Sequence, residues 1–361
     1  MKLLYQQEKY IQHSLRIARR SEKRRLTRRL KIKIERRSKI GKSIFQLQEI
    51  SRRKYTNTVV APNTFLFLEN QEQVIDFINK LDSFYEKGMS VYVDLQNVEI
   101  IDYGAITVLL SVMFMFKSKN IKFNGNFPLN LIAKSLLTES GFFESLEKTV
   151  QHRGKYTIGK ENQICTQANT QVTSELGLPI MIASTKTIWG EERICRGLQK
   201  VLLELMHNTH NHAVANTKGV KHWWLSVNHD KENKKVSYVF VDYGVGIFNS
   251  LQHKPRDSKW YGFAEKVKSS FGYETNEKFF QLLLEGELHA TVTGEKKRGK
   301  GLPSVKRTLD HQEISNLRVI SNNVYANVSN TEYKLLNNSF KGTFFYWELC
   351  YNDKNEIWTI K

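Results

Sequence analysis

Val236-Ser-Tyr-Val-Phe-Val-Asp-Tyr-Gly-Val-Gly-Ile247 decides the reading of this chain. Residues 236–241 are rich in β-branched and aromatic side chains and read as a strand that runs straight into Asp242-Tyr-Gly244-Val-Gly246. An aspartate closing a strand can accept a hydrogen bond from an exocyclic amine such as the adenine amino group. Gly244 and Gly246 would let the backbone approach a base and ribose closely. A second strand pattern, 222–227, precedes it.

Working upstream, a helical pattern starts around Glu191 and carries an apolar stripe of Leu198, Val201, Leu202 and Leu205. Near its end Glu204, Asn208, Asn211 and His212 stand four, seven and eight residues apart and share one face. A face that polar beside such a stripe suits a cleft. Glu204 is a candidate general base, and Asn208 a candidate neutral oxygen ligand for Mg²⁺ bridging phosphates. His207, His210 and His212 fit an exposed helix end or a metal site equally well.

Downstream, Arg298-Gly299-Lys300-Gly301-Leu302 leads into a helical run, 303–310, with Pro303 in its first turn. Free N–H groups and the positive dipole end at such a start suit phosphates. Gly342-Thr343 then opens a strand over 344–349.

These four segments, in this order, resemble the boxes of the GHKL ATPases, the fold shared by gyrase B, MutL and histidine kinases. Glu204 and Asn208 are similar to the N box, and Asp242-x-Gly244-x-Gly246 to the first glycine box. Gly299-x-Gly301-Leu302 is similar to the second glycine box, and Gly342-Thr343 to the last. The resemblance implies an ATP-binding domain over 186–361, with a mixed sheet covered by helices. It also implies that Asp242 reads adenine, Asn208 holds Mg²⁺, and Gly299, Lys300 and Gly301 contact phosphates. Thr343 would support the adenine end through water, and His212 would lie near the nucleotide. Glu204 would be the general base, as in the ATPase and serine-kinase branches. The segment 248–297, with Trp260, Tyr261 and a helix over 276–288, would be the ATP lid. Lys296-Lys297-Arg298 would bring charge near the phosphates or form a basic loop face.

The first half reads as a separate α/β domain, 55–150, with strands at 90–95, 98–101 and 121–124 and helices at 104–116 and 131–137. Val98-Glu-Ile-Ile-Asp102, Gly104-Ala-Ile-Thr-Val-Leu-Leu110 and Ala133-Lys-Ser-Leu-Leu-Thr-Glu-Ser-Gly141 resemble the STAS family of anti-sigma factor antagonists. Members controlled by phosphorylation carry a serine after the aspartate, where this chain has Tyr103. The resemblance therefore implies a docking module whose phosphoswitch is lost or replaced. A polar stretch over 151–185, and 163–174 above all, reads as a linker.

Charge is uneven. Residues 1–54 hold 19 Lys and Arg against 4 Asp and Glu, a net +15 of the chain's +19. Such an arm, densest over 16–54, neutralises phosphates and points to nucleic acid; an acidic protein or a solvated tail fits the same charge. Three cysteines without paired spacing exclude a disulfide scaffold and a zinc ribbon. The longest apolar stretch, 103–116, falls short of the roughly 20 residues of a membrane span, and the expectation is a soluble cytoplasmic protein. The functions in view are an ATP-dependent switch acting on a regulatory protein partner, a serine/threonine kinase of the anti-sigma factor type, and an ATP-gated nucleic-acid-binding effector.

Overall fold

The computed structural model describes residues 57–142, 163–167, 174–212, 223–252, 275–286 and 301–351, with positions 12, 13, 16, 17 and 20 of the arm. The chain divides into two units, 1–54 and 55–361. In the arm, the described positions are helical.

The first half of the larger unit builds two small parallel sheets. The strands β1 (Thr58–Val60), β3 (Val91–Asp94) and β5 (Phe123–Gly125) form one, in the order β1-β3-β5, and β2 (Thr64–Phe65) and β4 (Ile100–Ile101) form the other. Parallel neighbours need crossovers. Here these include α1 (Gln71–Glu86), between β2 and β3, and α2 (Tyr103–Ser118), between β4 and β5; α3 (Leu131–Glu139) follows. Ten residues of α2 are buried, because it lies between the small sheets and the rest of the unit. Asp102 caps it: Oδ1 accepts from Ala105 N at 2.6 Å, and Oδ2 accepts from Phe67 N at 3.0 Å. Burial of that carboxyl outweighs both donors and pushes its pKa up to about 6.

The second half is a five-stranded sheet, β6-β7-β8-β10-β9. Its strands are β6 (Gln163–Gln167), β7 (Trp223–Asp230), β8 (Lys235–Asp242), β9 (Ser315–Asn327) and β10 (Glu332–Cys350). Every pairing is antiparallel, so the mixed sheet expected from the resemblance is corrected among the described strands. The reason is local: β7–β8 and β9–β10 are hairpins closed by the turns 231–234 and 328–331. The stretch 163–174, expected as linker, instead supplies edge strand β6 and the first residue of α4 (Ser174–Trp189).

One face of this sheet is covered by α4, α5 (Arg196–His212), α6 (Gly246–Gln252), α7 (Asn276–Glu285) and α8 (Gly301–Asp310). Alternation along the strands sends Trp223, Leu225, Phe240, Phe345 and Trp347 into that helical core. It sends Trp224, Val239, Val241, Ile320 and Phe344 to the opposite face, where they join the core of the first half. Phe114 of α2 meets Trp224 edge-on at 5.5 Å, and Phe67 meets Phe344 at 4.6 Å. The two expected domains therefore share one apolar layer inside a single compact unit. No helix among the described residues is long and apolar enough to cross a membrane.

Candidate functional site

Among the described residues, the structure gathers the expected site residues into two groups on and beside the helix-covered face. The first lies where α5 meets α8. Gly301 opens α8, and a Cβ there would stand 3.2 Å from Asn208 Oδ1 and 3.4 Å from Glu204 Oε2. Glu204 and Asn208 are half-buried one turn apart on α5, so a carboxylate and an amide oxygen face the start of a helix at close range. Leu302 packs half-buried against the helical core, and Pro303 is buried in the first turn. Helix α5 begins at Arg196 rather than near Glu191. Gly190, at φ +77°, follows the end of α4, and Glu191 ion-pairs with Arg193 at 2.6 Å in the connection. Its N-terminus is held by the remote Glu313, whose Oε2 accepts from Gly197 N at 2.7 Å.

The second group is the end of β8. Asp242 stands opposite Thr343 on β10 and Trp223 on β7. Gly342, at φ +138°, brings its Cα against the turn: a Cβ would collide with the Asp242 carbonyl and lie 3.0 Å from Tyr243 Cα and 3.1 Å from Gly244 N. Gly246, at φ +77°, starts α6 where a Cβ would strike the Asn322 side chain. Glycine is required at both positions by conformation and by space.

Two residues missed by the sequence reading hold this turn. Ser321 Oγ accepts from Ile247 N at 2.9 Å, donates to the Gly342 carbonyl at 3.0 Å and lies 3.1 Å from Thr343 Oγ1. Asn322 Oδ1 accepts from Phe248 N at 3.1 Å while its Nδ2 donates to Val245 O at 2.8 Å. The signal was present as a run of polar residues, Ser321-Asn-Asn323, inside an apolar strand; Asn322 sits at φ +50° beside register shifts.

Helix α7 links the groups. Phe248 of α6 packs on Phe279 and Phe280 at 6.0 and 5.9 Å, and a Cβ at Gly286, just beyond α7, would touch Pro303 of α8 at 3.3 Å. No family model and no curated protein matches this sequence. His212 closes α5, but its side chain lies outside the described residues, as do Arg298, Gly299 and Lys300, the rest of the expected second glycine box. Trp260, Tyr261 and the Lys296-Lys297-Arg298 cluster are outside them too.

On the other face of the sheet lies a cavity of about 380 Å³ between the two halves, lined among others by Glu69, Tyr103, Ser226, Lys235, Arg318 and Glu348. Tyr103, where phosphorylated members of the resembled family carry a serine, therefore faces the side of the sheet away from Glu204 and Asn208. Burial, and then Glu139, raise its phenol pKa. Cys195 is buried and its thiol is pushed up to about 12, which suits packing and not nucleophilic chemistry.

Proposed function

We propose that this protein binds Mg²⁺-ATP in its second half and acts as a conformational switch with slow ATP hydrolysis, regulating a protein partner through the lid and the STAS-like first half. The observation that carries the reading is Gly301 at the head of α8, so close to Asn208 and Glu204 that a Cβ would stand 3.2 Å from Asn208 Oδ1 and 3.4 Å from Glu204 Oε2. The donor set fits the ligand. An amide oxygen and a carboxylate are hard ligands suited to magnesium and water, and a glycine at a helix start lets phosphate oxygens reach backbone N–H groups. Magnesium, when bound, would neutralise phosphate charge. Asn208 would hold it, Glu204 would take a proton from the attacking water, and Asp242 would accept from the adenine amino group. Ser321 and Asn322 fix the turn that carries Asp242, so its geometry precedes ligand binding.

In the kinase reading, the acceptor would be a second protein or the first half itself. The Tyr103 corner of the first half lies against the far side of the sheet from Glu204, which argues against that corner as an in-chain acceptor. Incubation of the full chain with γ-labelled ATP and Mg²⁺ distinguishes the two. Free phosphate that falls at least about 100-fold in Glu204→Ala, with no labelled protein, is the expected result. Label retained on the chain or passed to a second protein would establish the kinase instead.

A further inference from the structure

Tyr243 is part of the Asp242-Tyr-Gly244 turn, yet its side chain belongs to the opposite face of the sheet. It is buried in the core of the first half, with its ring 5.7 Å from Phe340. Its hydroxyl donates to Asp82 Oδ2 on α1. Asp82 is 3% exposed, and its Oδ1 has no hydrogen-bond donor among the described residues. Lys341 Nζ stands 3.9 Å from Asp82 Oδ2 and pairs with Glu86 one turn further along α1. Lys341 also immediately precedes Gly342, whose Cα is pressed onto the backbone of 242–244. One short turn is thus tied to α1 from two directions, through a buried hydroxyl and through the strand that packs on it. Moving the turn would leave a carboxyl and a phenol buried without partners, so these contacts favour a single position.

We propose that Tyr243, Asp82 and Lys341 form a latch by which the first half positions the base-binding turn, so that nucleotide binding and the seating of α1 on the sheet are thermodynamically linked. This rests on the nucleotide reading above. The three are positioning residues, acting through Asp242. Linkage is reciprocal: whatever the latch contributes to nucleotide affinity, bound nucleotide returns as tighter seating of α1.

The test uses the full chain, Mg²⁺-ATP titration and hydrogen exchange of the α1 backbone. Tyr243→Phe removes the donor, whereas Asp82→Asn keeps an acceptor for the hydroxyl. Tyr243→Phe is expected to weaken nucleotide binding about tenfold, and Asp82→Asn to stay within about twofold of the parent. Saturating nucleotide slows exchange over 71–86 in the parent and in Asp82→Asn, but no longer does so in Tyr243→Phe. Bound nucleotide slows all exchange that needs global unfolding, so the latch is read as slowing over 71–86 in excess of that on β9 and β10, which a role confined to fold stability would not produce. If Tyr243→Phe fails to fold, Tyr243→Phe with Asp82→Leu leaves neither group buried alone and should show the same tenfold loss. Unchanged affinity in the folded variant, or exchange on α1 indifferent to bound nucleotide in the parent, overturns the latch alone. No nucleotide binding by the parent overturns the site reading and the latch together.

Discussion

At the scale of single residues, glycines and buried carboxyls carry the sharpest expectations. Gly246 combines φ +77° with a collision against Asn322, whereas Gly88 has φ +67° and open space around its missing Cβ. Gly246→Ala should therefore cost about 2–4 kcal/mol in urea denaturation, and Gly88→Ala only about 1 kcal/mol. Equal costs would mean that the turn around Asp242 is not packed as described. Asp82 and Asp102 both have pKa values raised from 3.8 to about 6, chiefly by burial. A raised carboxyl pKa means the folded state holds the proton more tightly than the unfolded chain. Their contribution is fully present below pH 3.8 and is lost as pH rises through about 6. Asp82→Asn should flatten that part of the stability–pH curve and raise the unfolding free energy at about pH 8 by at most roughly 3 kcal/mol. A variant curve parallel to the parent's would show that Asp82 does not titrate in this range.

At the scale of elements, much of the second half was legible because its signals are local. Strand 236–241 appears as β8, and the Gly301–Pro303 start opens a helix as its composition demands. Helix α7 stops at Glu285 rather than 288 because Gly286 adopts φ +81°, a stop written in the sequence and overlooked. The start of α5 was misplaced for a different reason. Its cap is Glu313, 116 residues away from Gly197, and no local pattern carries that information. Glu313→Ala should cost about 1 kcal/mol in thermal or urea denaturation, the usual loss of a cap; a neutral effect would remove Glu313 from that role. Strand β6 was missed although Ile164 and Thr166 are β-branched, because five residues inside a polar stretch are too short a signal and their pairing with β7 is not local. Glu204 and Asn208 were paired by their spacing on one helix face, and the structure brings Gly301 against both. Ser321 and Asn322 were missed because their role is visible only when β9 is placed beside the turn.

At the scale of the whole molecule, residues 55–361 behave as one body, with the large sheet buried on both faces. The sequence suggested two domains because each half has its own helical layer. What it could not show is that alternate residues of β7, β8 and β10 are apolar on both sides for a reason, namely that two cores share the sheet. Removing 55–142 would bare Trp224, Ile320, Phe340 and Phe344, all buried. The remaining fragment should aggregate, or melt far below the parent in calorimetry; a soluble fragment with the parent's melting point would contradict the shared core. Residues 1–54, with their net +15, form a unit of their own, and the proposal for them is nucleic-acid binding. Binding should weaken steeply with salt and disappear when the arm is removed, a difference that filter binding at two ionic strengths would show.

In the proposed complex the second half holds Mg²⁺-ATP between Asp242 at one end and the Glu204–Asn208–Gly301 group at the other. Calorimetric titration of the full chain with Mg²⁺-ATP, alongside Asp242→Asn and Gly301→Val, is the decisive test. Saturable binding by the parent is expected, with loss of about tenfold or more in each variant. No heat of binding from the folded parent, or equal affinity in all three proteins, would contradict it.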